Sequence, residues 1–279
     1  MRLVDESAAI REAFPEAYAD LVVFVTDLGG TTILMFLLAT GYWLTRRRET
    51  ALVISYAIAG VGLIVALKAA LGMPRPPEEY FLVASEGDGY GFPSGHAFAA
   101  TVVYGGLVSA FGRTRDRWAV AGATTLIVLV ALSRVVLGVH YLGDVIAGVV
   151  LGVVFLLGMN RVTGGDPRRG FAAALALSLP ALVVVGATED TLIALGGSIG
   201  GLLASSRIDD LPALRSRLEG AVLSVGGVAF VAAVKGLEAV VAGLAPALVG
   251  LYAVLLAGIL LAPGAVDRLA VGPLEATES

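Results

Sequence analysis

Two histidines occur in the chain, His96 and His140, and each stands in a short polar run inside an otherwise apolar sequence. The first run, Pro93-Ser94-Gly95-His96, opens an apolar stretch. A helix start there offers unpaired backbone N–H groups and the positive end of the helix dipole, a ready anion site. Ser94 can cap that helix or donate its hydroxyl to a ligand, and Gly95 lets a bound group approach the backbone closely. The second run holds Ser133 and Arg134, then His140 and Asp144. His140 and Asp144 are four residues apart and share a face if both are helical. Asp144 can then accept from one ring nitrogen, fix the tautomer and leave the other nitrogen free to attack. A third run, Lys68 to Pro76, closes an earlier apolar stretch. Lys68 and Arg75 are seven positions apart, close to two helical turns, although Pro74 ends the helix just before Arg75. Together the runs supply Lys68, Arg75 and Arg134 as cations, one hydroxyl, two histidines and an orienting carboxylate. Fixed cations around one point call for a multiply charged anion, with phosphate the obvious candidate. The same set fits phosphoryl transfer through a histidine nucleophile.

These residues must be held by membrane-spanning helices. Of the 279 residues 57% are hydrophobic and 15% charged, against about 25% charged in a soluble protein. Mean hydropathy is +0.88. There are 36 glycines and no cysteine, which excludes a disulfide scaffold, a thiol enzyme and a cysteine-bound metal site. The composition also excludes a disordered chain and an ordinary soluble enzyme. The formal net charge is −4, and no basic footprint for nucleic acid is present. A spanning helix needs about 20 mainly apolar residues. Nine stretches qualify: roughly 21–44, 51–72, 94–112, 118–137, 141–160, 171–188, 190–205, 219–236 and 240–262. The seventh is the weakest, being short and rich in glycine. The expected fold class is therefore all-α, a polytopic transmembrane helical bundle.

Every second connection is rich in arginine: Arg46 to Arg48; Arg113, Arg115 and Arg117; Arg161, Arg168 and Arg169; Arg207, Arg215 and Arg217; then Arg268. The positive-inside rule puts these on the cytoplasmic face. The acids, including the five in residues 1–20, gather on the other face with the three polar runs. Residues 1–20 read as an amphipathic external segment rather than a signal peptide, which has a basic start and a short apolar run. The expected location is the cell membrane, with the N-terminus and site outside and the C-terminus cytoplasmic.

The joint pattern resembles the type 2 phosphatidic acid phosphatase superfamily. Its elements here are Lys68-x6-Arg75-Pro76, then Pro93-Ser94-Gly95-His96, then Ser133-Arg134-x5-His140-x3-Asp144. The resemblance covers roughly residues 21–160, and membrane members of the family have a six-span core. It implies that His140 is the nucleophile forming a phosphohistidine, Asp144 its orienting partner and His96 the general acid. It implies phosphate binding by Lys68, Arg75, Ser94, Gly95 and Arg134. It implies no metal, and no cofactor is expected. On this basis residues 21–188 form the catalytic core, and residues 189–279 add spans without catalytic residues.

The implied function is a membrane phosphatase acting on a lipid phosphate or isoprenoid diphosphate, with membrane lipids as surroundings and no nucleic-acid partner. Transfer of the phosphoryl group to an alcohol, hydrolysis of a sugar phosphate, and a non-catalytic transport or assembly role are the alternatives. Asp27, in the first span, either pairs with a site cation or rests at the interface. Glu78, Glu79, Glu86 and Asp88 form either a solvated loop or a gate for anionic substrates. The Gly196-x3-Gly200 and Gly197-x3-Gly201 spacings either mark close helix packing, through which a homo-oligomer could also form, or reflect the glycine-rich composition, which produces such spacings often.

Overall fold

The structure is a computed structural model that describes residues 2–45, 47–83 and 89–269. Arg46, Glu86 and Asp88 lie outside the described residues, as does the chain after Leu269. The described residues are all-α. Eleven helices follow one another: α1 Val4–Glu12, α2 Ala19–Asp27, α3 Thr31–Leu44, α4 Arg47–Leu71, α5 Gly95–Ala110, α6 Arg117–Val136, α7 Leu142–Thr163, α8 Pro167–Val185, α9 Glu189–Ser205, α10 Arg217–Val241 and α11 Ala245–Arg268. Several helix starts carry side-chain caps. Asp116, Asp166, Thr188 and Ser216 each accept a hydrogen bond from the first turn of the helix they open.

Each of the nine expected spans coincides with a helix or a helix pair. By length and composition, α4, α6, α7, α8, α10 and α11 can cross a membrane. The pair α2 and α3, bent by 47°, makes a seventh if the two together form one broken span. Helices α5 and α9 are shorter than that test requires. The bend follows from chemistry at Leu28–Gly30. A Cβ at Gly29 would collide with Val130, so the chain passes close to α6 only because glycine is there. The break frees the Leu28 carbonyl, and the Tyr104 hydroxyl donates to it at 2.7 Å. Backbone groups at such depth need an internal partner. Helix α5 carries its own irregularity, a π-helical turn over Thr101–Gly105.

The chain packs as two compact units. The first comprises the chain up to Phe36 with Leu63–Val162, and it contains every candidate site residue. Its core joins Val22, Val136, Leu137 and Val139, and a neighbouring cluster joins Ala97, Ala131, Val135 and Val145. Helix α7 approaches α5 closely through Gly148 and Gly152, where a Cβ would press on the Ser94 carbonyl and on Thr101. Large residues on α7, Ile146, Val150, Val153, Val154 and Leu157, are exposed. An apolar face of this kind belongs against lipid.

The second unit comprises Leu37–Gly62 and the chain from Thr163 onward. Tyr42 and Trp43 anchor it, donating to the carbonyls of Leu260 at 2.8 Å and Ile259 at 2.9 Å. The glycine face of α9 is used inside this unit. Gly196 and Gly200 lie against the α11 backbone near Val249 and Ala253, Gly197 against Ile58, and Gly201 against Phe171. The small-residue spacing thus serves helix packing within the chain.

Candidate functional site

The three polar runs converge at one end of the first unit. The C-terminal turn of α4 brings Lys68, the N-terminus of α5 brings Ser94, Gly95 and His96, and the last turn of α6 brings Arg134. The connection from α6 to α7 brings His140, and the first turn of α7 brings Asp144. The opposite helix ends carry Arg113, Arg117 and Arg161, so the arginine-rich loops and the candidate site occupy different ends of these helices.

Local structure explains each placement. Helix α4 stops at Leu71, and the following strand-like segment is held by an antiparallel bridge between Pro74 and Tyr90. Arg75 N donates to Gly89 O at 3.2 Å and Gly91 N to Met73 O at 2.7 Å, which fixes the backbone beneath the Arg75 side chain. The α6–α7 turn needs Gly138, whose φ is +76°. A side chain there would also collide with the Tyr80 carbonyl. Leu82 N bonds to Leu137 O at 3.1 Å, and His140 N to Arg134 O at 3.3 Å. Ser94 N donates to the Asp144 carbonyl at 3.0 Å, so the starts of α5 and α7 are joined directly.

Ser94 is fully buried and its hydroxyl accepts from Ala97 N at 3.5 Å, the capping role. A Cβ at Gly95 would meet no atom within 4 Å, so the backbone there faces open space. His140 is 2% exposed. Its Nε2 lies 3.4 Å from Arg75 Nη1, which also donates to Val139 O at 3.4 Å. Its Nδ1 lies 3.6 Å from Asp144 Oδ2, slightly beyond hydrogen-bond length. Contacts between catalytic groups are often long before substrate binds. Lys68 is buried. Lys68, Arg75 and Arg134 all act electrostatically on both histidines. Arg134 Nη1 donates to Thr26 Oγ1 at 3.0 Å, while its buried Nε has no hydrogen-bond partner among the described residues. Asp27 acts electrostatically on Arg134.

Burial drives the His140 imidazole down from its ordinary value near 6.5 to about 4. Asp144 opposes this, and Arg134, Arg75 and Lys68 reinforce it. His140 is therefore neutral at pH 7, with a lone pair on one ring nitrogen. A partly buried cation cluster beside a buried, neutral imidazole can bind an oxyanion and present a nucleophile to it.

Two participants have no sequence motif. Thr26 holds Arg134. Arg2 reaches Asp144, donating from Nε to Oδ1 at 2.8 Å and from Nη2 to Oδ2 at 2.7 Å. Among the described residues no three His, Asp or Glu side chains come together to hold a metal ion.

Fold and site thus define an α-helical membrane protein with a cationic, histidine-bearing site at its helix ends. Residues 48–166 match the family model of the PAP2 superfamily. The matched segment contains Lys68, Arg75, Ser94, Gly95, His96, Arg134, His140 and Asp144, and it excludes Arg2 and Thr26. No curated protein and no solved structure matches the chain.

Proposed function

We propose that the protein is a membrane phosphatase that cleaves a lipid phosphate or isoprenoid diphosphate through a phosphohistidine. The observation that carries this reading is the juxtaposition at His140. A buried, neutral imidazole has its Nε2 beside the Arg75 guanidinium, 3.4 Å away, with Lys68 and Arg134 also acting on it. Asp144, at the other ring nitrogen, orients the ring.

The phosphate group sits among Lys68, Arg75, Arg134 and the N-terminus of α5 at Gly95. His140 Nε2 attacks phosphorus, the bond to the leaving oxygen breaks, and His96 gives that oxygen a proton. His96 then takes a proton from water, the water oxygen attacks phosphorus, and the P–N bond breaks to release phosphate and neutral His140. Exposed apolar faces such as that of α7 accommodate a substrate whose tail stays in the bilayer. By the positive-inside rule the site opens on the extracytoplasmic face of the cell membrane.

The test is phosphate release by detergent-purified protein with EDTA present. Phosphatidic acid, a polyprenyl diphosphate and glucose 6-phosphate are offered separately. Release from either lipid, in preference to the sugar phosphate, is the expected result. Preference for glucose 6-phosphate refutes the lipid assignment, and loss of activity in EDTA refutes the metal-independent mechanism.

The pH dependence follows from His140. Protonation removes the lone pair that attacks, so the acid limb of kcat/KM, corrected for ionisation of the substrate, should lie where pH drops through about 4. An acid limb centred near 6.5 would mean that His140 is not held neutral by burial.

A further inference from the structure

We infer that Arg2 is a positioning residue of the catalytic site, fixing the Asp144 carboxylate that orients His140, and that the segment from Arg2 to Ser7 caps the helix on which Asp144 stands. The inference rests on the reading of His140 as the nucleophile.

The contacts are specific. The Arg2 guanidinium grips both Asp144 oxygens, at 2.8 and 2.7 Å, in the two-pronged geometry that lysine cannot reproduce. Its remaining terminal nitrogen, Nη1, donates to Pro74 O at 2.7 Å, next to Arg75. The guanidinium also lies 4.6 Å from the centre of the Tyr141 ring. One side chain thus ties the partner of His140 Nδ1 to the backbone that carries the cation beside His140 Nε2. The pair is largely shielded, with the Arg2 side chain 19% exposed and that of Asp144 0%.

The backbone around Arg2 adds a second connection. A helix leaves its first N–H groups without internal partners. At the start of α7, Leu142 N donates to Ser7 Oγ at 2.8 Å and Gly143 N donates to Arg2 O at 3.0 Å. Two glycines make room for the segment. A Cβ at Gly143 would come within 2.8 Å of Arg2 Cα, and one at Gly91 within 2.7 Å of Arg2 Nη2.

The consequence for His140 is geometric and electrostatic. Asp144 Oδ2 accepts from Arg2 Nη2 and from Tyr141 N at 3.0 Å, and it faces His140 Nδ1. Without Arg2 the carboxylate keeps only the Tyr141 N–H bond to Oδ2 among these donors, and its charge acts on the imidazole without the compensating guanidinium. The other charged and titratable groups facing His140 are Lys68, Arg75, Arg134 and His96. All of them remain in an Arg2 variant.

The experiment compares Arg2→Gln and Arg2→Lys with wild type in detergent. It reads kcat and KM for phosphate release, thermal stability, and the imidazole titration of His140 by nitrogen NMR, assigned with His96→Gln. Arg2→Gln should lower kcat by roughly 10- to 100-fold with KM within about threefold, because misplacing a catalytic group by about 1 Å costs that much. The His140 midpoint should move upward by roughly one pH unit as an uncompensated carboxylate favours the imidazolium. Arg2→Lys should return the midpoint toward wild type and recover only part of kcat. A wild-type kcat and midpoint in Arg2→Gln would overturn the inference. Reduced thermal stability with an unmoved midpoint would also overturn it, leaving a purely structural clamp. If wild-type protein releases no phosphate from any substrate, the functional reading falls, while the titration still decides whether Arg2 acts on His140 through Asp144.

Discussion

Replacing His140 with alanine is expected to reduce phosphate release by at least about 10⁴-fold, because removing a covalent nucleophile leaves only the binding and charge stabilisation of the remaining site. The cation cluster survives the substitution. Lys68 closes α4 and Arg134 closes α6, and Arg75 is held by backbone bonds to Gly89 and by the neighbouring Gly91–Met73 bond. His140→Ala should therefore still bind inorganic phosphate or a substrate, with affinity within about tenfold of wild type, while turnover disappears. Steady-state kinetics and equilibrium binding on the same preparation check both halves. Full turnover by a folded His140→Ala protein would remove the basis of the mechanism.

Asp144→Asn has the second-largest expected effect, a loss of roughly 10² to 10⁴-fold in kcat. The analogous carboxylate change in a serine-protease triad costs about 10⁴ through the wrong tautomer. Here the carboxylate accepts three hydrogen bonds: two from Arg2 and one from Tyr141 N. An asparagine amide turns one acceptor into a donor. It then faces either the Arg2 fork or His140 with the wrong polarity, and it leaves the partly shielded Arg2 cation without its counter-charge. Phosphate binding, which uses Lys68, Arg75 and Arg134, should change by less than about threefold. A kcat loss below about threefold would mean that Asp144 supports the fold and not the orientation of His140.

Much of the site is legible in the chain because its residues sit at helix ends that hydropathy locates. Lys68 and Arg134 close apolar stretches, Ser94 opens one, and the four-residue step from His140 to Asp144 is a local relation. The structure brings these groups to one end of the first unit. It puts Asp27 within electrostatic reach of Arg134, yet the direct contact of Arg134 is Thr26, one position earlier. Periodicity does not distinguish these neighbours near the end of a helix. Arg2 is illegible for a different reason. It meets Asp144 across 142 positions and belongs to an acidic lead-in segment with no pattern shared with the motifs. Only the packing of α1 over the α6–α7 connection reveals it.

The fold shows a similar division. Hydropathy finds every long helix, because a lipid-facing helix must be apolar along its length. The 47° break between α2 and α3 depends on a contact between Gly29 and Val130 and on a Tyr104 hydroxyl more than seventy residues away. The α9 glycines read as packing motifs, but which helices they meet is decided by tertiary structure. Gly196 and Gly200 meet α11, and Gly201 meets Phe171 of α8.

The central claim is that the phosphoryl group passes through His140, and trapping the phosphoenzyme tests it most directly. In His96→Gln, an activated aryl phosphate should still phosphorylate His140, because its leaving group needs no proton. Hydrolysis of the intermediate should be slow, because the group that activates water is gone. Rapid mixing with radiolabelled aryl phosphate, followed by an alkaline detergent quench, is expected to give an alkali-stable, acid-labile label that maps to His140. The label should be absent from the His96→Gln, His140→Ala double variant. A label on any other residue, or release of phosphate from the single variant with an unlabelled His140, would contradict the account.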